Sequence, residues 1–113
     1  MRIVSLHADQ QRSFGPVRVA ESGWERTRGL LGHAAPQAGE GMLILRCASV
    51  HTLGMRYRID VLFLDAQGLI RQVRLALAPA RLAWCRAASH TLEMAAGQSE
   101  SLGLRPGMRL SGW

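Results

Sequence analysis

Four apolar residues in unbroken succession, Val61-Leu62-Phe63-Leu64, stand between Asp60 and Asp65 near the middle of a 113-residue chain. A strand with one wet face alternates apolar and polar side chains, whereas a run without alternation marks a strand covered on both faces. The run therefore predicts a central strand over residues 60–66. Asp65-Ala66-Gln67-Gly68 then turns the chain, with Gly68 suited to the positive-φ position of a type I turn plus bulge. Residues 69–76 are expected to return as its hairpin partner.

The rest of the chain supplies further short strands. MRIVSLH at the N-terminus reads as an edge strand, and the polar stretch 8–15 as a loop or hairpin. After Pro16, Val17 and Val19 alternate with Arg18 and Ala20, the period of a half-exposed strand. MLILRC (42–47) is another continuous apolar strand, residues 50–55 a weaker one, and WCRA with SHTLEMAA (89–96) give more. Residues 97–103 read as one helical turn. Arg105-Pro106-Gly107-Met108 has Pro and Gly where a type II turn places them, and 108–113 closes the sheet. Many short strands with regular turn signals predict a single mainly β domain, a sandwich or barrel, spanning residues 1–113.

The clearest helix starts at Ser22, with Glu25 three residues on as its capping-box partner. Trp24, Thr27 and Leu31 recur at helical spacing, Leu30 widens the stripe, and Gly32 suits the end. A helix over 22–31 is expected to lay Trp24 and Leu31 on the sheet and to cap one end of it. Residues 33–41 read as a loop by composition.

An apolar fraction of 48% with 19% charged residues suits a globular domain with one core. The net charge is +6, and every basic residue is arginine. A basic balance favours an anionic partner, but the arginines are spread from Arg2 to Arg109 with no basic arm or helix. Nucleic acid is accordingly not expected as the partner. The N-terminal apolar run is too short for a signal peptide, and no stretch approaches a membrane span. These features predict a cytoplasmic protein, a monomer or weak dimer, with Cys47 and Cys85 reduced and more in keeping with small core residues than with a metal or redox pair.

The most unusual segment runs from His51 to Asp60, where a histidine, two arginines, a tyrosine and a carboxylate crowd between apolar strands. Polar groups beside a core strand must find partners or cost about 1–3 kcal/mol each. Asp60 has three readings: a turn cap, an arginine partner or a ligand contact. Glu93, between Leu92 and Met94, is either on the solvent face or paired, with Arg28 and Arg56 as candidates. A Cys47–His51 nucleophile and base would lie about 13 Å apart on a continuous strand, beyond reach. The four histidines show no metal-binding spacing, and no phosphate or dinucleotide loop occurs. Trp24, Trp84 and Trp113 are candidates for a stacking platform, with a buried Trp24 the commoner alternative.

Three stretches together carry a family resemblance. They are Arg26-Thr27-Arg28-Gly29-Leu30-Leu31-Gly32; the span from Gly41-Met42-Leu43 through His51-Thr52-Leu53-Gly54-Met55 to Asp60-Val61-Leu62-Phe63-Leu64-Asp65; and Leu92-Glu93-Met94-Ala95-Ala96-Gly97 followed by Gly103-Leu104-Arg105-Pro106-Gly107. In this order they resemble the Domain of Unknown Function 192 family. Gly54 stands where many members have Trp, and Met108 where Asp is common. The resemblance implies a jelly-roll-like β-sandwich and carries no activity.

These readings predict a non-enzymatic ligand-binding or accessory module without cofactor or metal, whose site for a small polar or anionic ligand draws on Arg28, His51, Thr52, Asp60 and Glu93. The alternatives are a hydrolase or lyase using His51 as base with Asp60 orienting it, and a weak anion or nucleic-acid binder acting through its arginines.

Overall fold

The computed structural model describes residues 1–9 and 12–113. Its strands are β1 (Arg2–Ala8), β2 (Arg12–Ala20), β3 (Gly41–Leu45), β4 (Ser49–His51), β5 (Ile59–Leu64), β6 (Ile70–Leu77), β7 (Leu82–Trp84), β8 (His90–Ala95) and β9 (Leu110–Ser111). Two short helices, α1 (Gly23–Arg28) and α2 (Gln98–Ser101), complete the described elements. β1 and β2 pair antiparallel, as the hairpin expected within 8–15 requires, and Gln10 and Gln11 lie outside the described residues.

Seven strands form one sheet in the order β6-β5-β8-β3-β2-β1-β9, and β4 pairs with β7 in a separate ribbon. The sheet curls until its ends meet. Leu110 N donates to Gly68 O at 2.8 Å, Ile70 N to Met108 O at 2.8 Å, and Gly107 N to Ile70 O at 2.9 Å. This closure makes a barrel-like β domain and removes much of the exposed edge that an open sheet would present.

The sheet has two apolar faces. Leu62 and Leu64 of β5 join Leu43, Leu92, Met94 and Val17 inside the curl. Ile59, Val61 and Phe63 point the other way, onto a second cluster with Met42 and Ile44. That outer cluster is roofed by Val50 and Ala83 of the β4–β7 ribbon, by Met55, and by Leu30 from the segment after α1. Both faces of β5 are therefore dry, as its unbroken apolar run predicts, and all six of its residues are buried. Each fully buried Leu, Ile or Phe contributes about 1.5–3 kcal/mol.

β2 and β3 run parallel, a pairing that requires a crossover connection. α1 begins that connection. The capping box forms as expected: Ser22 Oγ accepts from Glu25 N at 3.1 Å, and Glu25 Oε1 accepts from Ser22 N at 3.2 Å. The helix nonetheless ends at Gly29, not Gly32, and Trp24 is 72% exposed. Leu30, beyond the last helical turn, makes the contact expected of Trp24, while Leu31 is half-buried against the same cluster. The reason lies at Gly29, whose φ of 53° turns the chain down onto the sheet.

Residues 50–55 also differ from the extended reading. β4 stops at His51, because the Thr52 side chain ties the chain to the 78–81 loop. Among the described residues no helix is long and apolar enough to cross a membrane.

Candidate functional site

The five residues expected to share a site are not one cluster. In the β5–β8 register Asp60 faces Met94, and Val61 faces Glu93. Directly paired residues share a face of the sheet. Asp60 therefore points to the interior of the curl, with Met94, and Glu93 to the outer cluster, with Val61.

Asp60 is fully buried and fully bonded. Its Oδ1 accepts from Ala76 N at 2.9 Å. Its Oδ2 accepts from Gly97 N at 3.0 Å, Ser99 N at 3.1 Å and Ser99 Oγ at 2.7 Å. Charge-assisted bonds of this kind are the strong class. The carboxylate pins the start of α2 and the bulge before Leu77 to the central strand. His51 sits in the ribbon on the opposite side of the sheet, so a His51–Asp60 base and orienter pair does not form.

Thr52 is equally committed. Its Oγ1 donates to Ala78 O at 2.6 Å and accepts from Arg81 N at 2.8 Å, holding the loop that leads into β7. His51 is half-buried, and its Nδ1 finds no hydrogen-bond partner among the described residues. A buried polar atom without a partner costs about 1–3 kcal/mol.

Arg28 and Glu93, by contrast, flank the same short segment. Leu30 N donates to Glu93 Oε1 at 3.3 Å. Arg28 Nε donates to Leu31 O at 2.8 Å, and its guanidinium lies 3.0 Å from where a β-carbon on Gly32 would stand. Arg28 thus shapes the loop and is not ion-paired with Glu93. Burial pushes the Glu93 carboxyl up to about 7, against the smaller lowering effect of the Leu30 N–H. Tyr57 lies near enough that its phenol is raised, first by burial and then by the Glu93 charge. Its Oη stands 3.2 Å from His33 O and 3.4 Å from Leu30 O.

Residues 30–35 form a saddle between two clefts. One, of about 290 Å³, has Arg18, His33, Glu40 and Pro16 in its wall. The other, of about 530 Å³, is bounded by His33, Met55, Arg56 and Tyr57. These volumes bracket the lower range of small-molecule pockets. His33 faces both clefts. Arg18 Nη1 lies 3.1 Å from His33 Nδ1. A guanidinium can only donate, so Nδ1 accepts and the ring proton sits on Nε2. Burial lowers the His33 pKa first, followed by the charges of Arg28 and Arg18. The imidazole is therefore held neutral between cationic neighbours.

Neither Arg18 nor Arg28 has a carboxylate partner among the described residues. Glu40, in the smaller cleft, spends one oxygen on Gln37 N at 2.7 Å. His33, Tyr57 and Arg18 were not among the expected site residues. His33 falls in a stretch legible only as loop, and Arg18 reads as the polar half of an alternating strand. Among the described residues no three metal-ligating side chains come together.

The fold and these clefts define a small barrel-like β domain with a loop saddle carrying His33 against one face of its sheet. Residues 4–112 match the family model of DUF192, described as "Uncharacterized ACR", and the chain belongs to that family. No curated protein matches it. A protein of unknown function from Novosphingobium aromaticivorans shares the fold with a TM-score of 0.86 at 20% identity, over 98% of this chain and 85% of that one. A putative transcription regulator from Sinorhizobium meliloti aligns with a TM-score of 0.84 at 26% identity, over 96% of this chain and 91% of its own.

Proposed function

We propose that this chain is a non-enzymatic ligand-binding or accessory module that takes a small polar ligand with an anionic group at the saddle of residues 30–35. The carrying observation is the Arg18–His33 contact at 3.1 Å inside a cleft, with no ion pair to the guanidinium among the described residues. A ligand carboxylate or phosphate would accept from Arg18 and from His33 Nε2–H, both donors at no cost in protonation. Arg28 keeps its expected place in this reading by bracing the loop, and Glu93 by supporting it from below. His51, Thr52 and Asp60 serve the scaffold.

Thermal melting against a panel of small carboxylates, phosphates and neutral sugars tests the reading. A ligand at about 100 times its Kd stabilises the native state by about 2.7 kcal/mol, which raises Tm by about 10 °C in a domain of this size. Shifts confined to the anions, and lost in Arg18→Ala, are expected. No shift with any anion, or an equal shift in Arg18→Ala, would overturn it.

A further inference from the structure

The arginines are spread along the sequence, but the carboxylates that could answer them are not. Between residues 41 and 92 the chain has seven arginines and two carboxylates. Of those carboxylates, Asp60 is buried and Asp65 is paired with Arg71 at 3.6 Å. The acidic residues that remain exposed or half-exposed belong to β1, β2, α1 and α2 and the loops beside them.

Both strands of the β4–β7 ribbon belong to this arginine-rich stretch. Val50 and Ala83, paired across it, face the core. Alternation then sends Leu82 and Trp84 outward, where they are 63% and 68% exposed. Outward positions two apart on a strand are separated by about 6.6 Å. Arg81 and Arg86 bracket the pair in sequence, both exposed. The Thr52 bonds to Arg81 N and Ala78 O join the ribbon to the end of β6. There Arg58 Nη1 donates to Ala76 O at 3.1 Å. Arg74, opposite Val61 in register, lies on the ribbon's side of the sheet. Arg58, Arg74, Arg81 and Arg86 have no carboxylate partner among the described residues.

We propose that the outward face of the ribbon, with the adjoining end of β6, is a ridge that binds single-stranded nucleic acid, with Trp84 stacking on a base and Arg58, Arg74, Arg81 and Arg86 facing the phosphates. Exposed aromatic rings interleaved with guanidinium groups are the chemistry that holds single strands without reading sequence. An acidic protein segment would satisfy the arginines but would leave the exposed indole without a matching planar partner. The ridge shares no residue with the Arg18–His33 cleft, so the two sites stand or fall separately.

Fluorescence anisotropy with a labelled oligothymidylate, in parallel with labelled polyglutamate, tests this on the full chain. Binding of the oligonucleotide with quenching of tryptophan emission is expected. The log–log salt slope should be about −3 if four phosphates are neutralised. Trp84→Ala should weaken binding at least about fivefold with the salt slope unchanged. Arg81→Ala/Arg86→Ala should reduce the slope by about 1.4. Melting curves of both variants confirm that each is folded, since the replaced side chains are exposed. Equal affinity for polyglutamate, an unaltered Kd in Trp84→Ala, or no binding at about 50 mM salt would overturn the proposal.

Discussion

The carboxylate of Glu93 occupies the space into which a β-carbon on Gly29 would project, 3.0 Å from that position. Gly29 also holds φ at 53°, a conformation that side chains with a β-carbon rarely adopt. Two motifs far apart in sequence, the glycine after α1 and the glutamate in β8, are thus one contact. It sets where the helix ends and how Leu30 reaches the outer cluster.

Gly29→Ala should therefore destabilise the fold by about 2–3 kcal/mol, from left-handed strain together with the close approach to Glu93. Urea denaturation measures this directly. Gly23→Ala is the control, because its β-carbon would meet nothing within 4 Å.

Glu93 gives stability a pH dependence. Its carboxyl rises from an ordinary value of 4.5 to about 7 because burial disfavours the charge. Between those values the native state keeps the proton that the unfolded chain has released. The contribution is complete below pH 4.5 and is lost as pH rises to about 7. The full window is worth about 3 kcal/mol. Glu93→Gln should flatten this part of the profile and melt higher than the parent above pH 7. Parallel profiles for the two proteins would show that Glu93 does not titrate there.

Asp60→Ala should be among the most damaging single changes. It strips the acceptor from Ala76 N, Gly97 N and Ser99 N at once. Each orphaned donor costs about 1–3 kcal/mol, so a loss of at least about 3 kcal/mol is expected in urea denaturation. Hydrogen exchange should quicken first at Gly97 and Ser99.

Thr52→Val keeps the shape of the side chain and removes its bonds to Ala78 O and Arg81 N. A cost of about 1–3 kcal/mol is expected. Faster exchange should be confined to the 78–81 loop and the ribbon.

Much of the architecture was legible. The apolar run at 61–64 announced a strand dry on both faces, and the Ser22–Glu25 box fixed where α1 starts. The placement of polar residues was not legible, for a specific reason. Whether Asp60 and Glu93 share a face depends on the β5–β8 register, and the pairing sets them one residue out of step, on opposite faces. Periodicity within either strand carries no information on that offset. Trp24 misled because helical spacing marks a stripe without saying that the helix ends before the stripe is used. His33 gave no local signal at all, since its environment is assembled from Arg18 on β2 and Arg28 on α1.

The proposed ligand site rests on a neutral His33 held between guanidinium groups, and NMR titration of its imidazole tests that most directly. In the free protein His33 should titrate below 6.5, from burial and the nearby charges of Arg28 and Arg18. Saturating phosphate should move the midpoint upward, because an anion favours the imidazolium; phosphate should then bind more tightly as pH falls. A free-state midpoint at or above 6.5, or one that phosphate leaves in place, would contradict the account.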